Sequence, residues 1–258
     1  MQTVPNVRLN NGREMPQVGL GTWHMKAGAQ AEEAVIEALR IGYRLIDTAK
    51  YYGNEQSVGK AVRESGIARE EIFVTTKLWP TDFFNPRKAF EKSLSELGLE
   101  YVDLYLIHWP IPAMPKSIWR TLEAVYEEKL ARAIGVSNYG IGDIENLLSY
   151  ANTPPAVNQI KFSPFDFAEE VLKCCRSHGI AVEAYSPLTQ GARLDHQDVA
   201  AIARKHGKAP AQIMLRWCIE RGTVPIPKST HPERMRENLD VFDFSLDEEA
   251  TATLDLLS

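Results

Sequence analysis

The chain has little that could hold it together other than its own core. It has three cysteines in 258 residues, Cys174, Cys175 and Cys218. The odd count and the lack of a Cys-x-x-Cys pair argue against a disulfide framework and give no zinc-ligand spacing. No apolar run approaches the roughly 20 residues of a membrane-spanning helix. Met1-Gln2-Thr3-Val4-Pro5-Asn6 lacks the basic and apolar regions of a secretion signal. The expectation is a cytoplasmic protein with reduced thiols and no resident metal. Positive charge is not in excess: 29 Lys and Arg against 34 Asp and Glu leave a net charge of -5. That balance argues against nucleic acid or an anionic membrane as a partner. No linker or low-complexity stretch divides the sequence, so residues 1–258 read as a single domain.

What is present is an ordinary globular share of apolar residues, 44%, distributed as alternating strand and helix signals. Val7-Arg8-Leu9 and Glu14-Met15-Pro16 flank Asn10-Asn11-Gly12, a turn that suits a short β-hairpin. Apolar strand-like runs follow near 18–21, 43–47, 72–77, 102–108, 132–137, 156–160, 180–185 and 223–227. Helical patterns near 31–39, 55–65, 86–97, 117–129, 168–178 and 196–206 separate most of them, and a last one spans 247–257. Strands this apolar are buried on both faces, as parallel βα units produce. Eight such units predict a (β/α)8 TIM barrel with an N-terminal hairpin, in preference to an open doubly wound sheet. A barrel of that kind takes about 250 residues.

Three of the runs end in polar chemistry: Arg44-Leu45-Ile46-Asp47, Ile72-Phe73-Val74-Thr75-Thr76-Lys77 and Leu104-Tyr105-Leu106-Ile107-His108. Tyr51 and Tyr52 follow the first. In a barrel these ends gather on the face that holds the active site. An ammonium beside a phenol favours phenolate and lowers a pKa that is ordinarily about 10. A Tyr–Lys pair could therefore move protons near neutral pH, with Asp47 keeping Lys77 charged and in place. On chemistry alone either tyrosine qualifies. A strand-end lysine could also serve as a Schiff-base nucleophile, although an ammonium paired to a carboxylate is a poor one.

Gly19-Leu20-Gly21-Thr22-Trp23-His24 begins like a dinucleotide loop but lacks its third glycine, and reads as a tight turn at the end of the first strand. A better phosphate signal lies in Ile226-Pro227-Lys228-Ser229-Thr230-His231-Pro232-Glu233-Arg234. There Ser229 or Thr230 could cap a helix starting near Pro232, with two cations beside its amino end. Trp23, Trp79 and Trp109 each sit by a strand end and predict an aromatic wall around an apolar pocket, whereas Trp119 and Trp217 fall in helical patterns and read as packing. Lys50 either faces solvent or attracts anionic substrates.

Two segments carry a family resemblance. Asp47-Thr48-Ala49-Lys50-Tyr51-Tyr52-Gly53-Asn54-Glu55 and Met15-Pro16-Gln17-Val18-Gly19-Leu20-Gly21-Thr22-Trp23 resemble the two signatures of the aldo-keto reductases. The likeness continues through Thr75-Thr76-Lys77-Leu78-Trp79, Asp103-Leu104-Tyr105-Leu106-Ile107-His108-Trp109-Pro110 and Ala133-Ile134-Gly135-Val136-Ser137-Asn138, covering the chain in order.

The resemblance implies that Asp47, Lys77 and Tyr52, rather than Tyr51, form the proton-transfer system and that His108 hydrogen-bonds a substrate carbonyl. It implies NADPH as cofactor, with Lys228, Ser229 and Arg234 on the 2'-phosphate and Glu237 and Asn238 near the adenine. Ser137, Asn138 and Gln159 would meet the nicotinamide carboxamide, Tyr185 would stack on its ring, and Ser186 and Leu188 would border the pyrophosphate. The implied activity is reduction of aldehydes and ketones by a protein expected to be monomeric. The nearest likeness is to bacterial short-chain reductases of 2,5-diketo-gluconate, methylglyoxal and related carbonyls, and a barrel that binds cofactor without catalysis is the alternative. Lys161 and Ser163 depart from the family pattern of an acidic residue and His-Pro. The chain also ends at Ser258, whereas most relatives carry a further segment that closes over the substrate. That difference and the short 111–116 loop predict an open, permissive pocket.

Overall fold

The computed structural model describes residues 4–112 and 114–258. Met1, Gln2, Thr3 and Ala113 lie outside it, and with them part of the amino-terminal stretch and of the 111–116 loop. The hairpin is present as antiparallel β1 (Asn6–Arg8) and β2 (Glu14–Pro16), with Val7 opposite Met15. The connecting turn uses Gly12 at φ 82°, a conformation that a side chain would strain.

After it the chain alternates strand and helix: β3 (Leu20–Gly21), α1 (Ala29–Ile41), β4 (Leu45–Asp47), α2 (Glu55–Glu64), β5 (Phe73–Leu78), α3 (Pro86–Leu97), β6 (Leu104–Ile107) and α4 (Lys116–Glu127). It continues with β7 (Ile134–Ser137), α5 (Ile141–Leu148), β8 (Val157–Lys161), α6 (Glu169–Ser177), β9 (Ala181–Tyr185), α7 (Gln197–His206), α8 (Pro210–Glu220), β10 (Thr223–Pro225), α9 (Pro232–Leu239) and α10 (Glu248–Asp255). The eight expected strands are all present, with ends displaced by about two residues or less. Helix α5, unanticipated, is short and follows Gly140, whose N–H is capped by Asp143 Oδ2 at 3.1 Å. Helix α8 was anticipated only around Trp217.

The strands form one parallel eight-stranded sheet in sequential order from β3 to β10. Gly19 N–H donates to Pro225 O at 3.0 Å and Gly21 N–H to Pro227 O at 3.1 Å, joining the first strand to the last and closing a (β/α)8 barrel. This corrects the reading of Gly19 and Gly21 as a turn: they sit in the seam. A Cβ on Gly21 would lie 2.8 Å from Ile226 O, so the close backbone approach requires glycine.

Because strand side chains alternate, each strand divides its residues between two cores. Outward positions such as Ile46, Val74, Tyr105, Ile107, Val136 and Val182 pack with Val35, Phe90, Trp119 and Trp217 from the helices. Trp119 and Trp217 are fully buried, as expected for packing residues. The inner core contains Leu45, Phe73, Leu104, Leu106, Ala133, Val157 and Val224, and the hairpin region adds Leu9 and Met15 to it. Burying each Leu or Val contributes about 1.5–3 kcal/mol. Following the inward positions toward the carboxyl ends gives Leu45 then Asp47, Phe73 then Thr75 and Lys77, Leu106 then His108, Val157 then Gln159, and Ala181 then Glu183 and Tyr185. The barrel interior is therefore apolar at its amino end and polar at its carboxyl end. Among the described residues no helix is long and apolar enough to cross a membrane, and the three cysteines are free thiols.

Candidate active site

The loop after β4 is shaped by the second half of its own motif. Asn54 is fully buried. Its Nδ2 donates to Thr22 O at 3.0 Å and Met25 O at 3.2 Å, and its Oδ1 accepts from Thr48 Oγ1 at 2.7 Å. Glu55 accepts from Thr76 Oγ1 at 2.6 Å, tying α2 to β5. Gly53 takes the left-handed conformation that ends the short turn Lys50–Tyr52. These contacts hold Tyr52 over the barrel mouth and leave Tyr51 on the rim.

Lys77, on the inner face of β5, has no solvent exposure. Its Nζ donates to Asp47 Oδ1 at 2.7 Å, Thr48 O at 3.0 Å and Tyr52 Oη at 3.3 Å. Tyr51 instead is 58% exposed and stacks on Trp79 with ring centroids 3.9 Å apart. The geometry thus separates two phenols that are chemically alike. A fully buried ammonium whose three hydrogens are all engaged is not an available amine, which disposes of the Schiff-base reading of Lys77.

Burial, the largest single influence, lowers the Lys77 ammonium, but the charge and hydrogen bond of Asp47 together with the neighbouring Tyr52 and Glu183 outweigh it and the net shift is upward. Burial pushes the Asp47 carboxyl up, opposed by Lys77 and by a 2.8 Å hydrogen bond from Gln159 Nε2. Tyr52 corrects an expectation: burial, only partly offset by Lys77, pushes its phenol up to about 12. The phenol therefore keeps its proton at neutral pH. Lys77 donates to its oxygen, leaving the O–H free to point elsewhere. His108 is held neutral, pushed down to about 2 by burial and by the charge of Lys77. Its Nδ1 is buried without a partner, and its ring meets Tyr52 and Trp79 edge-on at 5.6 and 5.0 Å.

Above these groups opens a cavity of about 980 Å³ lined by Asp47, Tyr52 and His108. Trp23, Trp79 and Trp109 line it as well, and so do Ser137, Asn138, Gln159, Tyr185, Ser186, Leu188, Lys228, Ser229, Arg234, Glu237 and Asn238. Every residue singled out for cofactor contact thus lines this same cavity, and Lys77 lies just beneath Tyr52. Asn138 is in the left-handed conformation at φ 63°. Its Nδ2 donates to His108 O and its Oδ1 accepts from Tyr185 Oη at 2.9 Å. Ser137 Oγ donates to Gln159 O at 2.8 Å.

Helix α9, which contributes Arg234, Glu237 and Asn238 to the cavity lining, starts after His231 with no side-chain cap. Ser229 does not cap the helix: its Oγ accepts from His231 N–H at 3.1 Å in a local turn. The first N–H groups of α9 therefore remain available to an anion. Lys228 and Arg234 are exposed there without an acidic partner among the described residues.

Other expectations resolve differently. Lys50 is ion-paired to Asp82. Lys161 pairs with Asp166 at 2.7 Å and Ser163 Oγ donates to the same carboxylate at 3.0 Å, so the two departures from the family pattern close a turn of their own. Sequence reasoning missed Glu183, whose Oε2 accepts from Gln159 Nε2 at 2.5 Å. It also missed His24, Gln190 and Leu194 on the cavity wall. The acid in Ala181-Val182-Glu183-Ala184 was the visible signal, a charge inside an otherwise apolar strand.

Residues 17–258 match the model of the Aldo/keto reductase family. The chain is 47% identical over 254 residues to a glyoxal reductase of Bacillus subtilis (strain 168), across 98% of this chain and 92% of that protein. A crystal structure of an aldo/keto reductase from Brucella melitensis is 46% identical with a TM-score of 0.96, covering 100% of this chain and 99% of that one. A Bombyx mori aldo-keto reductase solved in complex with NADP is 38% identical with a TM-score of 0.92, covering 99% and 93%. In fold, in motif order and over nearly its full length, the chain belongs to the aldo/keto reductase family.

Proposed function

We propose that this protein reduces small aldehydes and ketones to alcohols with NADPH, using Tyr52 as general acid. The observation that carries the reading is the buried chain from Asp47 through Lys77 to Tyr52, which opens into the cavity beside a neutral His108. The cavity suits the cofactor: its lining includes two cations without acidic partners beside an uncapped helix start, and also hydroxyl, amide and phenol groups. Lys228, Ser229 and Arg234 would hold the 2'-phosphate, with Glu237 and Asn238 by the adenine. Ser186 and Leu188 would border the pyrophosphate. Ser137, Asn138 and Gln159 would meet the carboxamide, and Tyr185 would pack on the ring. When bound, the reduced nicotinamide supplies a hydride to the carbonyl carbon.

The chain's own residues handle the oxygen. As negative charge develops there, Tyr52 donates its proton to it and an N–H of the His108 imidazole donates a hydrogen bond. Both interactions strengthen toward the transition state, so they raise the rate as well as aiding binding. Lys77 then stabilises the phenolate left on Tyr52, and Asp47 keeps Lys77 charged. Trp23, Trp79 and Trp109 offer apolar walls to the remainder of the substrate.

The pairing of Lys50 with Asp82 leaves it poorly placed to anchor a sugar acid. This favours uncharged dicarbonyls of the glyoxal type over 2,5-diketo-gluconate. The test is loss of NADPH absorbance against a panel of glyoxal, methylglyoxal, diketo-gluconate, simple aldehydes and keto esters. The highest kcat/KM is expected with the uncharged dicarbonyls. A preference for the sugar acid would overturn the substrate reading. NADPH binding without turnover of any carbonyl would leave a non-catalytic cofactor-binding barrel.

A further inference from the structure

The inner face of β9 carries a carboxyl that this chemistry leaves unused. Glu183 is fully buried and sits opposite Gln159 in the β8–β9 register. Its Oε2 accepts a 2.5 Å hydrogen bond from Gln159 Nε2, which also donates to Asp47 Oδ2 at 2.8 Å. The other oxygen, Oε1, is buried with no partner.

The balance of buried charge around it sets the state of this acid. Asp47, Lys77 and Glu183 are all buried, two acids against one ammonium. The three hydrogens of Lys77 go to Asp47, Thr48 O and Tyr52, leaving none for Glu183. The groups facing Glu183 are Asp47 from β4, Lys77 from β5, Gln159 from β8 and the phenol of Tyr52 above; β10 opposes it with Val224. Lys161, at the end of β8, is half-exposed and committed to Asp166. A buried carboxylate with one neutral donor and one bare oxygen neutralises rather than bear its desolvation. Burial and then the charge of Asp47 push this carboxyl up to about 8.

We infer that Glu183 is a positioning residue that carries a proton at neutral pH, clamping the Gln159 amide against Asp47 while adding no second negative charge beside the Asp47–Lys77 pair. Both hydrogens of Gln159 Nε2 are then taken, so its carbonyl oxygen is the atom left for the cavity. That polarity suits the NH2 of a carboxamide. The proton also matters to Tyr52, because a charge on Glu183 raises the phenol further. Glu183 is neutral below its pKa and ionised above it. Carbonyl reduction therefore slows as pH rises through about 8, where Tyr52 becomes a weaker acid.

Glu183→Gln keeps an acceptor for Gln159 but cannot ionise; Glu183→Leu removes both properties. The kcat–pH profile, NADPH binding by fluorescence quenching and carbon NMR of glutamate-labelled protein read the two roles separately. At neutral pH E183Q is expected to retain kcat within about twofold and to lose the descending limb, since it is uncharged like the native acid. E183L is expected to weaken NADPH binding about tenfold through the freed Gln159 amide, with a smaller effect on kcat. The Glu183 carboxyl carbon, assigned by its disappearance in either variant, is expected to titrate near 8. The inference is overturned if that carbon is already a carboxylate at about pH 6, if folded E183Q keeps the descending limb, or if E183L binds NADPH as the native protein does. The kinetic arm rests on the reductase reading. Should no carbonyl be turned over, that reading fails, while the NMR titration and NADPH binding still decide this one.

Discussion

The two ends of the barrel are built from the same strands and do opposite work. At the amino end the inward positions are Leu45, Phe73, Leu104, Ala133, Val157 and Ala181, joined by Leu9 and Met15 from the hairpin region in a continuous apolar plug. Two or four residues further along the same strands the inward positions are Asp47, Lys77, His108, Ser137, Gln159 and Glu183. There the interior opens into the 980 Å³ cavity. One end gains free energy by excluding water from hydrocarbon. The other loses free energy by burying charge, and is tolerated because each charge has a specific partner. Stability and chemistry are thus separated along the barrel axis, and substitutions should separate in the same way.

The largest effect is expected from Tyr52→Phe, which removes the acidic proton and little volume. A loss of kcat of about 10³-fold, within the range for general acids, should accompany NADPH affinity and a melting temperature close to those of the native protein. Residual activity within about tenfold of native would mean that another group supplies the proton. Leu104→Ala at the opposite end should reverse the pattern, lowering unfolding free energy by about 2–5 kcal/mol with KM and kcat nearly unchanged where the protein is folded. A kinetic defect as large as the stability defect would show that the two ends are coupled. The smallest of the three is Arg234→Ala, at the rim. NADPH binding should weaken by about tenfold, equal to about 1.4 kcal/mol, with NADH binding unaltered. Equal weakening of both would remove the 2'-phosphate from the role of Arg234.

Much of this architecture was legible in one dimension. The eight apolar runs and the helices between them announced the barrel, because a strand buried on both faces has a composition that few other settings produce. Asp47, Lys77 and His108 were legible because each ends such a run. Lys228 and Arg234 were legible because they flank a helix start. Helix α5 was less so: it is short and contains Gly142, and its stability comes from packing Ile144 and Leu147 into the outer core. The glycines at 19 and 21 looked like a turn because the seam they close joins positions some two hundred residues apart, which no local window contains.

The order of elements, the period that turns alternate residues inward and the residue types at the strand ends follow from the sequence alone, since they depend on local composition and spacing. Tertiary structure decided which of two adjacent phenols meets Lys77, because only packing of Asn54 and Glu55 sets the loop. It also decided that burial outweighs a neighbouring ammonium at Tyr52, and that Glu183 shares a hydrogen-bond donor with Asp47. Those outcomes depend on distance and dielectric between residues remote in the chain, quantities that exist only once the barrel has closed.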